Sequence, residues 1–449
     1  MYGVTLGLGI VGLAAVMMLR PTRGLMVYLG VLCWYAAWQP APVLGINLTA
    51  PRIIILGLLM RCVVDGRLTK RFRWAWLDTL VVVFAAAEIV SGLMTSPTEV
   101  LLQNRAGALF DTGLVYFVGR LAIVSRQDYA FVLKGLLVIA APIAVLGVIQ
   151  SVTGSNPWGN LVRAGEMEGG AIQAVEGQTV RWGLWRARAN FFSPIVFGFF
   201  FACVGACGAG LWKTVTAGKR WKIGAGLAGT MVGLGSSLSS GPLLAAAISA
   251  PVIAVYRYRR YWKAGLAVLG AGLLAAEIGS NRHWYEVAAS FCSFNPATAY
   301  YRIELVEETF SGGMEGHWLM GYGLRAGGQV AVAGISHWKH QDITNHYVYE
   351  LMRFGLLGLV PLLAVFVGAF SRVRRAYRSA ASESDRWVVW CLGAMLAGAA
   401  ASMMSACWEG QAYSLFFLFL GATGSMPGIV RASVEKGETA AAAAKGGVP

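Results

Sequence analysis

The chain has 449 residues, of which 57% are hydrophobic and only 13% are charged, yet its formal net charge is +15. About a quarter of the residues in soluble globular proteins are charged, so this composition excludes a chain made of one or several soluble domains. The mean hydropathy of +0.59 predicts instead a polytopic membrane protein.

Apolar runs long enough to cross a bilayer recur along almost the whole chain. In chain order, spans are predicted near 2–19, 24–38, 49–64, 76–94, 106–124, 130–151, 192–212, 223–238, 241–256, 264–279, 347–370, 388–407 and 413–430. The sequence therefore predicts an all-α polytopic membrane protein with about 13 transmembrane helices, in the range of about 12–14. The stretches that look soluble are 153–190, 280–346 and the tail from Arg431.

These spans and loops define the predicted organisation of the chain. Transmembrane helices are expected at 1–152, 192–279 and 347–430. Between them lie an arginine-containing outer loop at 153–191 and a large outer loop at 280–346, which is expected to be catalytic. The tail at 431–449 is of low complexity, so it is expected to be disordered and cytoplasmic.

The distribution of Lys and Arg decides how the net charge is interpreted. Of the 37 basic residues, 26 fall in the tail and in alternate loops at 20–23, 61–74, 120–134, 213–222, 257–263 and 371–386. The other 11 lie in the remaining loops and their flanks. This alternation follows the positive-inside rule, so the basic loops and the C-terminus are expected in the cytoplasm and both long loops outside. Topology, rather than nucleic-acid binding, accounts for the charge.

All the histidines of the chain lie within 280–346, and they are His283, His317, His337, His340 and His346. Histidine exchanges protons near neutral pH, so this loop is the predicted site of chemistry. His346, Glu350 and Arg353 have i, i+4, i+7 spacing where the loop becomes a span, which would place a base, an orienting carboxylate and a cation on one helix face. The plainer interpretation is a capped helix start with a solvated histidine.

Arginine supplies ten of the eleven basic residues that the topology places outside. Arg181, Arg186 and Arg188 precede one span, and Arg302 and Arg325 lie in the large loop. Guanidinium groups bind phosphate oxygens in a bidentate way that ammonium cannot match, so the cluster of Arg181, Arg186 and Arg188 is predicted to bind a pyrophosphate carried by a lipid. Contacts with lipid head groups, or salt bridges to neighbouring glutamates in the large loop, are the simpler alternatives.

Metal or nucleotide binding receives little support from the sequence. His337, His340 and Asp342 offer two imidazoles and a carboxylate, but Lys339 stands between them and no third His or Cys follows at zinc spacing. The glycines of the large loop match no Walker or dinucleotide pattern. No metal or other cofactor is therefore expected.

Few of the ionisable residues in the predicted spans are candidates for burial in the membrane, and these are Asp78, Glu88, Asp111, Arg120 and Glu277. Asp78 and Arg120 are close to the ends of their spans, whereas the three other carboxylates are positioned to line a cavity. Ionisable residues at membrane depth often mark a substrate path. Hydrogen bonding between helices is the plainer interpretation.

Three segments stand out against this apolar background. They are RARANFFSP at 186–194, Arg302 followed by LMGYG at 319–323, and NHY at 345–347 followed by GLLG at 355–358. These segments, together with the layout of nearly the whole chain, resemble the O-antigen ligase and Wzy-type polysaccharide polymerase family. In that family, an arginine segment enters a span, an arginine helix precedes a glycine-containing segment, and a histidine precedes a GLLG-like segment.

The resemblance implies a function. Members of the family transfer a glycan from undecaprenyl pyrophosphate to a hydroxyl of a glycan, lipid-core or protein acceptor at the bacterial inner membrane, without a nucleotide sugar or a metal. Their fold is similar to that of C-type glycosyltransferases, with many helices and a large periplasmic loop over the site. By this resemblance, Arg188 and Arg302 bind the donor pyrophosphate with support from Arg186, and His346 activates the acceptor hydroxyl while Glu350 holds its ring.

Two departures from the family pattern matter. The family histidine would align with Thr344, so either the register shifts locally or His346 does not hold that role. The segment SSLSSG at 236–241 resembles a family segment that contains an arginine, absent here, for which Arg181, Arg186 or Arg325 would compensate. The sequence does not separate ligase from polymerase. A transporter or lipid-linked-glycan flippase is the alternative, and a cavity near Glu88 and Asp111 that alternates between faces would favour it.

Overall fold

The structure is a computed structural model that describes residues 2–35, 41–43, 46–156, 180–281, 283, 286, 296–324, 343–408 and 410–445. Apart from two short hairpins, its regular structure is helical. This is the expected outcome for long apolar runs, because a helix satisfies its backbone N–H and C=O groups within one segment. The apolar runs therefore form helices almost throughout the described ranges.

The helices are numbered here in chain order. The first eight are α1 (Tyr2–Met18), α2 (Pro21–Trp34), α3 (Ala50–Val64), α4 (Gly66–Arg71), α5 (Trp76–Thr95), α6 (Thr98–Leu109), α7 (Val115–Ala122) and α8 (Arg126–Thr153). The others are α9 (Pro194–Ala209), α10 (Arg220–Ser236), α11 (Ser240–Ala254), α12 (Trp262–Gly279), α13 (Pro296–Glu308), α14 (His346–Ser379), α15 (Glu383–Met403) and α16 (Gln411–Lys445). A π-helical turn, Phe110–Leu114, joins α6 to α7.

Both hairpins are antiparallel and short. In the first, β1 (Ala41–Val43) pairs with β2 (Ile46–Leu48). In the second, β3 (Val180–Arg181) pairs with β4 (Leu184–Trp185), with Arg181 opposite Leu184. The second hairpin matters for the site, because it leads directly into the arginine segment at 186–194.

In the described ranges, seven helices are long and apolar enough to cross a membrane. They are Trp76–Thr95, Arg126–Thr153, Pro194–Lys213, Ser240–Tyr261, His346–Ser379, Glu383–Met403 and Gln411–Ser433. The chain is therefore an all-α, multi-pass membrane protein. The structure supports fewer spans than the roughly 13 predicted from hydropathy. Two of the other predicted spans coincide with helices that are shorter than a span requires, namely α2 with 14 residues and α3 with 15. A helix of 14 residues rises about 21 Å, less than the roughly 30 Å of a hydrocarbon core.

The centre of the bundle is formed by α9 and α16, whose spanning windows are each 83% buried. The spanning windows of α5, α8 and α14 are each 44% buried, which leaves one apolar face for lipid. α5 packs along α14, α11 along α15, and α16 along α7 and α14. Phenylalanine rings fill the space between the central helices, as in the T-shaped pair of Phe416 and Phe417.

The backbone of the bundle is irregular at three points. The chain breaks between α10 and α11, where Leu238 has φ 46°. Ala189 has φ 46° in the segment before α9, and α14 breaks at Gly355, which has φ 64°. Irregular backbone at membrane depth is tolerated only where protein buries it or where it lines a cavity, so these points are where a site is expected.

The break at Gly355 is filled by the loop that follows α13. The N–H groups of Tyr322 and Gly323 donate to the carbonyls of Met352 and Arg353 at 2.7 and 3.0 Å. A Cβ on Gly355 would collide with the backbone of this loop, and its positive φ also requires glycine. The LMGYG and GLLG segments are thus brought into direct contact, with the loop completing the hydrogen bonds that the helix gives up.

Candidate functional site

The arginine segment at 186–194 is held inside the protein by buried polar side chains. The Gln150 Oε1 accepts the N–H groups of Arg188 at 3.1 Å and Ala189 at 2.8 Å. The amide of Asn190 donates to a backbone carbonyl of α2, and the Ala187 N–H donates to the Ser236 carbonyl at 3.0 Å. These bonds fix the segment against the end of α10, and Arg188 is only 3% exposed.

Three arginines, two from residues 181–186 at the second hairpin and one from α13, converge on the break before α11. Arg181 donates to the Leu238 carbonyl at 2.8 Å. Arg186 donates to the Ser239 Oγ at 2.8 Å, and Arg302 donates to the Ser240 Oγ at 3.0 Å. We refer to Arg181, Arg186, Arg302 and residues 238–240 as the arginine site.

The start of α11 adds to the positive potential of the arginine site. This helix has 15 residues, and its N-cap Ser239 makes no side-chain capping hydrogen bond. A helix N-terminus presents N–H donors and the positive end of the helix dipole, which together favour an anion. Guanidinium groups around such an end form an arrangement suited to phosphate oxygens.

Burial changes the acidity of these arginines without discharging them. Burial lowers the pKa of Arg181 and of Arg188. Burial, and secondly the charge of Arg181, lower the pKa of Arg186 to about 10. Arg186 therefore remains a cation at neutral pH, and an anion bound beside it would be favourable because it would offset the loss of water.

His346 is the first residue of α14. The N-cap Asn345 accepts hydrogen bonds from the N–H groups of Tyr347 and Val348 at 3.0 and 3.3 Å, which sets the helix start. One turn further, Glu350 lies with its Oε1 3.7 Å from the His346 Nε2, and both side chains are 0% exposed. The sequence prediction that the two share a face is confirmed, whereas a solvated histidine is not what the structure shows.

Tyr413 of α16 completes this cluster. Its hydroxyl lies 2.6 Å from the His346 Nε2 and donates to the Glu350 Oε1 at 3.1 Å. The N–H of Trp408 donates to the His346 Nδ1 at 3.3 Å, so the ring proton belongs on Nε2, which donates to the tyrosine oxygen. His346, Glu350 and Tyr413, which we term the histidine cluster, form a continuous hydrogen-bonded chain.

A cavity of about 220 Å³ lies on the other side of Tyr413. Two ion pairs border it: Arg52 binds Asp111 in a bidentate manner at 3.1 and 2.6 Å, and Arg105 lies 2.5 Å from Glu88. The other lining residues are Phe84, Asn104, Ala108, Thr112, Tyr349, Arg353, Trp408, Gly410 and Tyr413. The expectation that Glu88 and Asp111 line a cavity is confirmed. His346, Arg188 and Arg302 do not line it.

The cavity and the arginine site are close to each other. Gly241, in the first turn of α11, packs so tightly on Ala406 that a Cβ there would lie 2.7 Å from the alanine Cβ. Trp408, which lines the cavity and binds His346, follows Ala406 by two residues, a Cα–Cα span of at most about 7 Å. The segment after α15 therefore connects the anion-binding geometry to the histidine cluster.

The remaining predicted residues are dispersed. Arg325, His337, His340 and Asp342 lie outside the described residues. His317 stacks on Tyr322 with ring centroids 4.0 Å apart.

Two predicted membrane residues pair elsewhere. Glu277, expected to line a cavity, instead pairs at 2.8 Å with His283, whose pKa is raised first by that hydrogen bond and then by the charge of the carboxylate. Asp78 pairs with Arg120 at 2.8 Å. Over the described ranges, no group of three His, Cys, Asp or Glu side chains is placed to hold a metal ion.

Sequence reasoning missed Tyr413, Trp408, Arg52 and Arg105 as site residues. Tyr413 is 67 residues from His346, and a tyrosine at the start of a span resembles an ordinary interfacial residue. A signal did exist for one pair, because Arg52 and Asp111 are opposite charges inside two predicted spans. The chain matches no protein-family model and no curated protein.

Proposed function

We propose that this protein is a membrane glycosyltransferase that moves a glycan from a polyprenyl pyrophosphate to an acceptor hydroxyl, as an O-antigen ligase or a polysaccharide polymerase does. The observation that carries the proposal is the convergence of Arg181, Arg186 and Arg302 on the start of α11. Separate elements bring these cations to one helix N-terminus, which is the geometry that binds a diphosphate. The family resemblance of the same segments agrees with it.

The reaction places negative charge on the leaving pyrophosphate and removes a proton from the acceptor. The arginine site stabilises the charge that grows on the leaving group. The histidine cluster receives the acceptor proton, and the short span from Ala406 to Trp408 keeps the two functions within reach. His346 is fully buried, so it acts on the acceptor through Tyr413 rather than by direct contact.

The orientation follows from the basic loops. With these in the cytoplasm, the arginine site and the histidine cluster lie at the periplasmic end of the bundle in the bacterial inner membrane. A polyprenyl pyrophosphate can enter this end laterally from the outer leaflet, because its lipid tail stays in the bilayer. Acceptors that are glycans or lipid cores approach from the periplasm.

A second candidate function is transport of a lipid-linked glycan. The cavity lined by Glu88 and Asp111, together with the break of α14 at Gly355, favours it, since discontinuous helices around ionisable residues are typical of transporters. A flippase would move its substrate across the bilayer and leave the pyrophosphate bond intact. Glycan transfer releases the carrier pyrophosphate, so detection of the released carrier distinguishes glycan transfer from transport.

The test uses the purified full chain in liposomes that contain the undecaprenyl-pyrophosphate-linked glycan of its host. Wild-type protein is expected to release undecaprenyl pyrophosphate and to extend or link the glycan. Arg302→Ala and Arg186→Ala are expected to lower turnover about 10²–10³-fold by removing stabilisation of the leaving group. Arg257→Ala, at an exposed arginine of a predicted cytoplasmic loop, is the matched control. Full turnover by a folded Arg302→Ala protein, or glycan movement without release of the carrier, would refute the proposal.

A further inference from the structure

We infer that the cavity beside Tyr413 is a subsite for one neutral sugar ring of the acceptor, and that the Tyr413 hydroxyl contacts the attacking hydroxyl of that sugar. The inference rests on the proposed function and adds to it a substrate class, a binding site and a residue. It begins from the cavity itself, which neither the arginine site nor the buried histidine explains.

The size and lining of the cavity fit a single sugar ring. A volume of about 220 Å³ equals that of about seven water molecules, so it admits one ring and not an oligosaccharide or a lipid tail. Its walls alternate polar groups with the aromatic side chains of Tyr349, Trp408 and Tyr413. Sugars present an apolar ring face and a rim of hydroxyls, which such a lining matches.

The ion pairs at the cavity match hydroxyl groups in particular. The Arg52–Asp111 pair, whose side chains are 18% and 21% exposed, keeps both a donor and an acceptor in one plane. A hydroxyl can accept from the guanidinium and donate to the carboxylate at the same time. The second pair, Arg105 with Glu88, brings another guanidinium and another carboxylate to the lining of the cavity.

The charges around the cavity favour a neutral sugar over an ion as its ligand. Arg52 and Arg105 are each neutralised by a carboxylate. Arg353 donates to the Asn104 side chain at 3.1 Å and lies 4.5 Å over the Tyr349 ring, while Glu350 is one turn away on the same helix. With Glu350 counted, three arginines face three carboxylates around the cavity, so little net charge is left to select an anion or a cation and a polar neutral ligand is favoured.

The hydrogen bonds of Tyr413 and its place at the cavity indicate how it would transfer the acceptor proton. Its hydroxyl oxygen receives the Nε2–H of His346 and its proton is donated to Glu350, while the ring lines the cavity. As the acceptor oxygen bonds to the anomeric carbon, the bond to the pyrophosphate oxygen breaks and its electron pair leaves with the carrier. The acceptor proton passes to the Tyr413 oxygen, and the tyrosine proton passes to Glu350, from which it returns to water.

The binding test uses the purified full chain in nanodiscs and saturation-transfer NMR. The probes are the methyl α-pyranosides of glucose, galactose and mannose, with sodium glucuronate as the charged comparison. At least one neutral pyranoside is expected to bind the wild type, and Asp111→Asn is expected to weaken it about tenfold by removing a charged hydrogen-bond partner. Arg257→Ala should bind as the wild type does. The subsite assignment is wrong if no neutral pyranoside binds the wild type or if only glucuronate binds. It is also wrong if Asp111→Asn binds the pyranoside as tightly as the wild type does.

The role of Tyr413 is tested by transfer rather than binding. Tyr413→Phe keeps the ring and is expected to hold the acceptor KM within about threefold while kcat falls about 10²–10⁴-fold, because the proton path is lost. A Tyr413→Phe protein that turns over at the wild-type rate overturns the assignment. If the wild type transfers no glycan, the proposed function fails, whereas the pyranoside measurements still decide the subsite.

Discussion

Two groups of arginine–carboxylate pairs lie within the bundle, and they differ in what surrounds them. In the first, Asp78 receives hydrogen bonds from Arg120 at 2.8 and 2.9 Å, from Tyr116 at 2.5 Å and from the Ala75 N–H at 2.6 Å. Its carboxylate is 0% exposed. In the second, the Arg52–Asp111 and Arg105–Glu88 pairs border a cavity.

The comparison shows how similar side chains can serve different purposes. Around Asp78 the protein itself supplies donors to both carboxylate oxygens, so the group joins α5, α7 and α16 and leaves no room for a ligand. Around the cavity the pairs keep one side open. The tyrosines differ in the same way, because Tyr116 donates a hydrogen bond to Asp78, whereas Tyr413 donates to Glu350 and also accepts a hydrogen bond from His346. Accessibility, and not composition, separates a structural ion pair from a candidate binding site.

The largest expected effect separates the two groups by stability. Asp78→Ala leaves Arg120 buried without its carboxylate and is expected to destabilise the protein by about 3–5 kcal/mol. Asp111→Ala, the matched change at the cavity, is expected to cost about 1 kcal/mol or less, because Arg52 is partly exposed to the cavity and can be solvated. Thermal unfolding of both purified variants in detergent measures the difference. Equal losses of stability would show that the cavity pairs are structural too.

An intermediate effect comes from replacing each pair as a whole. Asp78→Leu combined with Arg120→Met removes both buried charges and is expected to regain about 1–4 kcal/mol relative to Asp78→Ala. The corresponding double change, Arg52→Met with Asp111→Leu, is expected to keep the unfolding temperature and lose pyranoside binding. Thermal unfolding and saturation-transfer NMR on the same samples check both results. If the Arg52→Met, Asp111→Leu variant is stable and still binds the pyranoside, this cavity pair is not part of a sugar-binding site.

The smallest effect concerns the arginine site, a third set of cations, which are partly buried. The Arg186 pKa of about 10 lies below the ordinary arginine value, so rising pH discharges this side chain first. Anion binding prefers the charged form of Arg186, so affinity for inorganic pyrophosphate should not fall between neutral pH and pH 9 and should fall above about pH 10. Isothermal calorimetry across this range, with Arg186→Lys for comparison, measures the profile. A decline centred near neutral pH would assign binding to another group.

Local parts of the site were predictable from the sequence. His346 and Glu350 share a helix face because their spacing is fixed by helix geometry, and the capping Asn345 marks where that helix begins. Every predicted span overlaps a helix for the same reason, since a long apolar run has few alternatives in a bilayer. Seven of the predicted spans coincide with helices that are long and apolar enough to cross a membrane, and the higher count of about 13 stays a prediction.

Contacts over long sequence distances were not predictable in the same way. Arg181, Arg186 and Arg302 meet only because α10 ends and α11 begins beside them, and no local pattern encodes that placement. The SSLSSG segment lacks the arginine of the family segment that it resembles, and arginines from elsewhere in the chain reach it. Tyr413 gave no signal at all, since its role depends on how α16 packs on α14.

The junction at Gly355 has a consequence for how the protein is assembled. The carbonyls that α14 releases at its break are satisfied by Tyr322 and Gly323, and Ser91 of α5 holds the same loop through the Met320 carbonyl at 2.6 Å. Without that loop, open backbone groups would face a non-polar interior. The loop is therefore not an exchangeable module. Grafting a related loop would require matching glycines in both partners, so the two segments are constrained to diversify together.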